Sequence, residues 1–313
     1  MPAAIEVGNG YGKLVGSTQV RELGELESPV LLTGTLNVWR VADAAVSWML
    51  EQPGMAEVRS LNMVVGETND GLLNDIRARP VAEADVRAAL DAADTLPPQE
   101  GAVGAGAGTV AFGWKGGIGT SSRRAAAGEG DWHVGVLVQS NYGGALRVDG
   151  VPVPLAPPMA AGNGAVDPVA AVATSGDGSV IVVLATDAPL DARQLQRLAR
   201  RALLGIGRTG SVMSHGSGDY VIAFSTVPVG GAGPEAGRPR PALADGELTR
   251  LFQAAVEATE EGVLNSLFRA RTVHGHRGSA HAIPIEQVQD ALRRAGRLRE
   301  LGVSDGTPSA STP

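Results

Sequence analysis

The chain of 313 residues carries 26 Lys and Arg against 33 Asp and Glu, a formal charge of −7, with no basic patch interleaved with aromatics, so no nucleic-acid partner is expected. The absence of cysteine excludes disulfides, thiolate metal sites and a cysteine nucleophile. No charged-then-apolar leader is read at Met1 and no apolar run is long enough to span a bilayer, so no membrane partner is expected and a cytoplasmic location is the default.

Along the chain, Val7 to Gly12 is turn-rich and Val30 to Gly34 reads as a short strand. The helical spacing of Val41, Ala44, Ala45, Trp48 and Met49 predicts a helix that Pro53 and Gly54 end. Leu61 to Val65 reads as a buried strand delivering the polar run Gly66-Glu67-Thr68-Asn69-Asp70-Gly71 at its end. That run is either a solvated turn or a cleft wall, with Glu67 one residue beyond the strand. An amphipathic helix follows Pro80 and stops near Pro97-Pro98.

Glycines 104, 106 and 108 precede an apparent strand from Thr109 to Trp114. A dinucleotide loop has to follow a strand and open a helix, so this run predicts no nucleotide, and no cofactor is expected. Lys115 to Arg123 is read as a tight turn, and Trp132 to Gln139 as a strand on the alternation of Val134, Val136 and Val138. Asn141 to Gly144 is a turn, 146–153 a hairpin arm, and 156–177 an exposed loop rich in Pro, Gly and Ala.

The loop ends in Gly176-Asp177-Gly178-Ser179, which runs straight into the β-branched stretch Val180 to Leu184. Ser179 therefore opens an interior strand, as a turn serine or as a nucleophile held at a strand start. Asp191 with Gln194 makes a capping-box start for a helix with the apolar stripe Leu195, Leu198, Ala202, Leu203 and Ile206. Its opposite face carries Arg193, Arg197, Arg200 and Arg201, a solvated or subunit-contacting surface. Ser211 to Asp219 leads into a strand from Tyr220 to Ser225, a Pro/Gly linker covers 228–246, and helices are predicted over 248–270 and 285–298. Residues 1–301 form one expected domain, and 302–313 an expected disordered tail.

The chemistry-bearing residues narrow the choice. His274 and His276 lie near a predicted helix C-terminus, where satisfying terminal carbonyls is their expected role, and no metal site is expected. No Gly-x-Ser-x-Gly elbow exists, and His215 near Ser217 is the nearest approach to a catalytic pair. Ser179 suits other chemistry. Cleavage of the Gly178-Ser179 peptide would give it a free α-amino group, ordinarily titrating at about 7.7 to 8.0 and able to act as the serine's own base. Before cleavage the same hydroxyl could attack the preceding carbonyl, with Gly178 tolerating the geometry.

Five separated motifs resemble the L-aminopeptidase/D-esterase family, the DmpA-type group that includes the β-peptidyl aminopeptidases. They are Gly66 to Asp75, Lys115 to Arg123, Val138 to Gly143, Gly178-Ser179 with Ala185 to Leu190, and Ser217-Gly218-Asp219, within a similarity covering roughly residues 7–297. The resemblance implies an α+β fold, a four-layer α-β-β-α sandwich resembling N-terminal-nucleophile hydrolases with different connectivity. It implies self-cleavage between Gly178 and Ser179 into chains 1–178 and 179–313 that stay together, assembling as a homo-oligomer of cleaved heterodimers.

By the same resemblance Ser179 is the nucleophile, and Ser217 and Asp219 assist proton transfer and orient the amine. Asn141 contributes to the oxyanion hole with the Gly218 amide, Glu67 takes the substrate's ammonium group, and Asn69 and Gly71 shape the pocket. The implied reaction removes the N-terminal residue from a short peptide, aminoacyl amide or ester through an acyl-enzyme. Only a few residues precede Gly8, where the family carries an additional segment, so the chain is expected to lack it. Two other readings are a self-cleaving acyltransferase of the related ornithine acetyltransferase fold, whose nucleophile is typically threonine, and an unprocessed, inactive peptide-binding homologue.

Overall fold

A computed structural model describes residues 1–153, 177–227 and 241–298, with Asp177 described by its backbone alone. Nearly all of the loop read over 156–177, residues 228–240 of the linker and the tail 302–313 lie outside the described residues.

In chain order the elements are β1 (Ala3–Gly10), β2 (Leu14–Val15), α1 (Ser17–Leu23), β3 (Val30–Gly34), α2 (Val38–Leu50), β4 (Val64–Thr68) and α3 (Glu83–Asp91). Then come β5 (Val110–Ala111), β6 (Trp114–Lys115), β7 (Gly117–Ala127), β8 (Gly130–Asn141), β9 (Arg147–Val148), β10 (Val151–Pro152) and β11 (Asp177–Thr186). The chain continues through α4 (Ala192–Arg208), β12 (Gly216–Ser225), α5 (Thr249–Phe268), β13 (Val273–His274), β14 (Ser279–Ala280) and α6 (Ile285–Arg294).

Five strands form one sheet in the order β1-β12-β11-β8-β7, and three form another in the order β2-β4-β3. The central strand β11 runs parallel to β12 and antiparallel to β8. Its side chains alternate between faces. Val180, Val182 and Leu184 pack with Leu195 and Leu198 of α4 and Leu251 and Ala255 of α5. Ile181 points the other way, into a core shared with Ile5, Val64 and Ile222 between the two sheets. A third core joins Val65 and Leu31 of the small sheet to Val41, Ala44 and Ala45 of α2 and Val86 of α3. Helices, sheet, sheet and helices thus make the four-layer sandwich, with one strand buried on both faces at its centre.

The capping box of α4 is present. Gln194 N donates to Asp191 Oδ1 at 2.7 Å, and Asp191 N donates to Gln194 Oε1 at 3.2 Å. The arginines of α4 find partners within the chain: Arg193 pairs with Asp245 at 2.8 Å, Arg200 with Glu6 at 3.2 Å, and Arg201 lies 4.0 Å over the Phe252 ring.

Several elements differ from the sequence reading. The supposed turn from Lys115 to Arg123 is mostly β7, paired along its whole length with β8. Its glycines serve close packing: a Cβ on Gly119 would lie 2.0 Å from the Gly262 carbonyl of α5, so the helix backbone rests directly on the strand. The turn-rich start is an edge strand, β1, with a register shift between Val7 and Asn9. The single strand read over 109–114 is a hairpin, because Phe112 and Gly113 take positive φ of 54° and 79° and reverse the chain. His274 sits in a short strand and bonds Ser279 Oγ at 2.6 Å, not a helix end.

Candidate active site

β4 starts three residues later than the sequence suggested, so Glu67 lies inside the strand, beside Thr33 of β3. Gly66 faces β11 so closely that a Cβ there would sit 3.1 Å from Ile181. The two sheets therefore meet just below Ser179, and Glu67 is carried to the mouth of the gap between them. Its carboxylate is 2% exposed. Oε1 accepts from Lys13 N at 2.8 Å, with the Lys13 ammonium 3.9 Å away, and Oε2 accepts from the Thr35 hydroxyl.

Ser179 is the third residue of β11 and shares the inter-sheet face with Ile181. Its Oγ accepts a hydrogen bond from Asn69 N at 3.3 Å. Directly opposite on β8 stands Asn141, whose Nδ2 donates to Asn69 O at 2.9 Å while its Oδ1 accepts from Val110 N at 2.9 Å. Asn141 thereby holds the carbonyl of the residue whose amide meets the serine, and its Nδ2 keeps a second hydrogen to give. Behind it, the buried Lys115 ammonium donates to Gly106 O, Thr109 O and Gly116 O at 2.8 to 2.9 Å, pinning the loop that supplies the Val110 amide. Burial, aided by the Arg271 charge, pushes Lys115 down to about 7.

A cleft of about 210 Å³ brings Glu67, Asn69, Gly178, Ser179 and Gly218 together, with Gly12 and Gly216 of the backbone. Tyr11, Lys13 and Thr35 also line it, and sequence reading missed all three. Thr35 follows β3 at the same end as Glu67 on the neighbouring strand, so the strand-end logic applied to Glu67 could have found it. Nothing in the local sequence marks Tyr11 or Lys13. Gly71 is not among the lining residues; its amide donates to the Asn69 side chain at 3.1 Å.

Ser217 and Asp219 do not line the cleft. They lie on β12 in parallel register with Gly178 and Val180, and Asp219 shares the helix-facing side with Val221 and Ala223. Ser217 Oγ donates to Asp219 Oδ1 at 2.7 Å, and the buried Oδ2 has no partner among the described residues. Burial pushes the Asp219 carboxyl up to about 6, against the bond from Ser217. Ser179 Oγ and Asp219 thus sit on opposite faces of the sheet, and the Gly178-Ser179 peptide nitrogen lies in the plane between them.

His215 does not complete a serine–histidine pair: its ring packs against Tyr11 at 6.1 Å between centroids, and its carbonyl accepts from Asn9. Among the described residues no group of three or more His, Asp or Glu could hold a metal ion, and no helix is long and apolar enough to cross a membrane.

A family model for peptidase family S58 matches residues 1–281. The chain is 40% identical over 301 residues to a beta-peptidyl aminopeptidase of Sphingosinicella xenopeptidilytica, covering 91% of this chain and 73% of that one. Among solved structures it superposes at a TM-score of 0.81, with 36% identity, on an L-aminopeptidase D-Ala-esterase/amidase from Ochrobactrum anthropi. That alignment covers 95% of this chain and 82% of the other, a protein described as a prototype for the serine aminopeptidases and a variant of the Ntn hydrolase fold. A Burkholderia sp. beta-aminopeptidase matches at a TM-score of 0.80 and 37% identity, over 95% of this chain and 82% of its own. A matching family model over most of the chain, relatives near 40% identity and a shared four-layer architecture agree: the chain belongs to peptidase family S58 and is a hydrolase of the N-terminal-nucleophile type.

Proposed function

We propose that this hydrolase is a self-processing serine aminopeptidase that cuts its own Gly178-Ser179 bond and then removes the N-terminal residue from short peptides, aminoacyl amides or esters. The observation that carries the reading is the pairing of Ser179 with two unlike environments. Its hydroxyl meets a backbone amide in a cleft walled by Glu67, while the neighbouring strand, paired with Ser179 at Gly218, carries the next residue Asp219 as a buried carboxylate with one oxygen unpartnered among the described residues.

In the first step Ser179 Oγ attacks the Gly178 carbonyl carbon, the C–N bond breaks, and the nitrogen takes the proton the hydroxyl gave up. Water then hydrolyses the resulting ester, freeing the Gly178 carboxylate and the Ser179 α-amino group. Packing supports a fixed scissile peptide, since a Cβ on Gly178 would lie 2.9 Å from Tyr142 Cα. In the second reaction the free amine takes the Ser179 proton as the oxygen attacks the substrate carbonyl, and returns it to the departing amine. Water, deprotonated by the same amine, then attacks the acyl-enzyme ester, releasing the N-terminal residue as its carboxylate and restoring the Ser179 hydroxyl. The Asn69 amide, the second Asn141 hydrogen and the Gly218 amide are the donors available to the oxyanion. Glu67 carries the charge to hold the substrate's ammonium group, which selects free amino termini.

Mass spectrometry of the purified protein tests this directly. Fragments of residues 1–178 and 179–313 are expected, and Ser179→Ala should stay intact and fail to hydrolyse aminoacyl anilides. An intact wild-type chain that still hydrolyses them would overturn the mechanism.

A further inference from the structure

The turn Tyr11-Gly12-Lys13, which reaches the cleft from the end of β1, is held by its backbone. Tyr11 N donates to Ser217 O at 3.2 Å, Gly12 O accepts from the Tyr220 hydroxyl at 2.8 Å, and Lys13 N donates to Glu67 Oε1 at 2.8 Å. Gly12 lies so close to β12 that a Cβ there would sit 3.0 Å from Gly218 Cα. Leu14 then pairs with Gly66 of β4. The backbone on either side of Lys13 is therefore fixed between the two sheets, and its side chain is delivered to the cleft by the fold.

The side chain itself is uncommitted. It is 44% exposed, and its ammonium stands 3.9 Å from Glu67 Oε1, beyond hydrogen-bond reach. The ammonium makes no hydrogen bond among the described residues, so its three N–H donors are unspent. Glu67 has one donor on each oxygen, which leaves a lone pair on each. Lys13 and Glu67 are the charged residues among those lining the cleft.

A substrate that brings only an ammonium group sets a second cation against a carboxylate that already faces one, and it leaves the lysine donors without an acceptor. A terminal residue that also carries a carboxylate answers both: its ammonium takes a lone pair of Glu67, and its carboxylate takes the donors of Lys13. The two pairs then lie head to tail. For this the ligand's charges must be about as close together as the 3.9 Å between the protein's own, so the carboxylate belongs on the amine-bearing carbon or on the carbon next to it. An aspartyl residue meets the condition in either linkage, through its α- or its β-carbonyl.

We propose that Lys13 is a specificity-determining residue that selects aspartyl amino termini by binding the carboxylate they carry beside the amino group. The inference rests on the aminopeptidase reading for its reaction and adds the class of residue removed.

The test compares p-nitroanilides in matched pairs, α-aspartyl with asparaginyl and β-aspartyl with β-alanyl, on the wild type, Lys13→Met, Lys13→Glu and Lys13→Arg. In the wild type at least one aspartyl compound is expected to show a kcat/KM about fivefold or more above its neutral partner, through KM, and the pair that shows it identifies the linkage. Lys13→Met should bring that ratio to about one, Lys13→Glu should turn it below one, and Lys13→Arg should keep it. If Lys13 only held Glu67 in place, its loss would raise KM for both members of a pair alike and leave the ratio where it was. Ratios near one for both pairs in the wild type overturn the proposal, as does a preference that survives Lys13→Met. If no anilide is hydrolysed, the aminopeptidase reading fails and saturation-transfer NMR titration of the same pairs decides. Tighter wild-type binding of an aspartyl compound, lost in Lys13→Met, supports the carboxylate site, and equal binding overturns it.

Discussion

Two buried carboxylates flank the start of β11, and their hydrogen bonding is completed to different degrees. Glu67, 2% exposed, has both oxygens occupied, by the Lys13 amide and the Thr35 hydroxyl, with a lysine ammonium 3.9 Å away. Asp219, 1% exposed, has one oxygen bonded by Ser217 and the other without a partner among the described residues, and burial lifts it to about 6. Burying a carboxylate is costly unless its lone pairs are met, so near-equal burial with unequal satisfaction marks different jobs. Glu67 is held in one position by a donor on each oxygen. On the proposed mechanism Asp219 receives one more donor, an ammonium at the Ser179 amino terminus that cleavage would expose one strand away.

The strongest way to break this contrast is Asp219→Asn. A proton-handling role predicts a loss of about 100-fold or more in kcat/KM with KM little changed. A variant that cleaves itself and turns over normally would remove Asp219 from the chemistry.

The same residue makes a stability prediction of the next size. In the folded chain the carboxyl holds its proton to about 6, against an ordinary value of 3.8. Between these values the folded state binds more protons than the unfolded one, so stability falls as pH rises through the window and stays lowered above it. The cost is up to about 3 kcal/mol. In an uncleaved Ser179→Ala background, Asp219→Asn should therefore raise Tm at pH 8 and change it little at pH 4. A Tm gain equal at both pH values would mean that the cost is steric.

Glu67→Gln tests the other carboxylate. The glutamine keeps an oxygen for the Lys13 amide but turns an amide nitrogen to the Thr35 hydroxyl, which must then accept, and it loses the charge, so KM for substrates with a free amino terminus should rise about 10- to 50-fold, with a smaller effect on kcat. Equal losses for acetylated and free-amine substrates would show that Glu67 does not read the ammonium group.

The legible parts of this molecule were those whose signal is local. The run Val180 to Leu184 is β-branched because both faces of β11 are buried, and the Asp191–Gln194 box is a complete helix start in four residues. Glu67 was found but set one residue outside its strand, since β4 extends through the polar residues that the gap between sheets accommodates. β7 was read as a turn because glycines that admit the α5 backbone look, in sequence, like glycines that bend a chain. The donor nearest Ser179 is the backbone amide of Asn69, which no side-chain pattern announces. The Lys115 hub was likewise invisible, since a lysine among glycines reads as solvated until three carbonyls converge on it.

The smallest expected effect is also the most direct test of the contrast. Thr35→Val preserves shape and removes the hydroxyl that meets Glu67 Oε2. That would convert Glu67 into a second half-satisfied carboxylate, resembling Asp219. Without that donor the carboxylate is held from one side only, so KM for substrates with a free amino terminus should rise about three- to tenfold, with kcat little changed. The stability cost should be about 1 kcal/mol, and Thr35→Ser should restore both properties. If KM stays in place, the Lys13 amide and ammonium are sufficient to position the Glu67 carboxylate, and the threonine only fills space beside it.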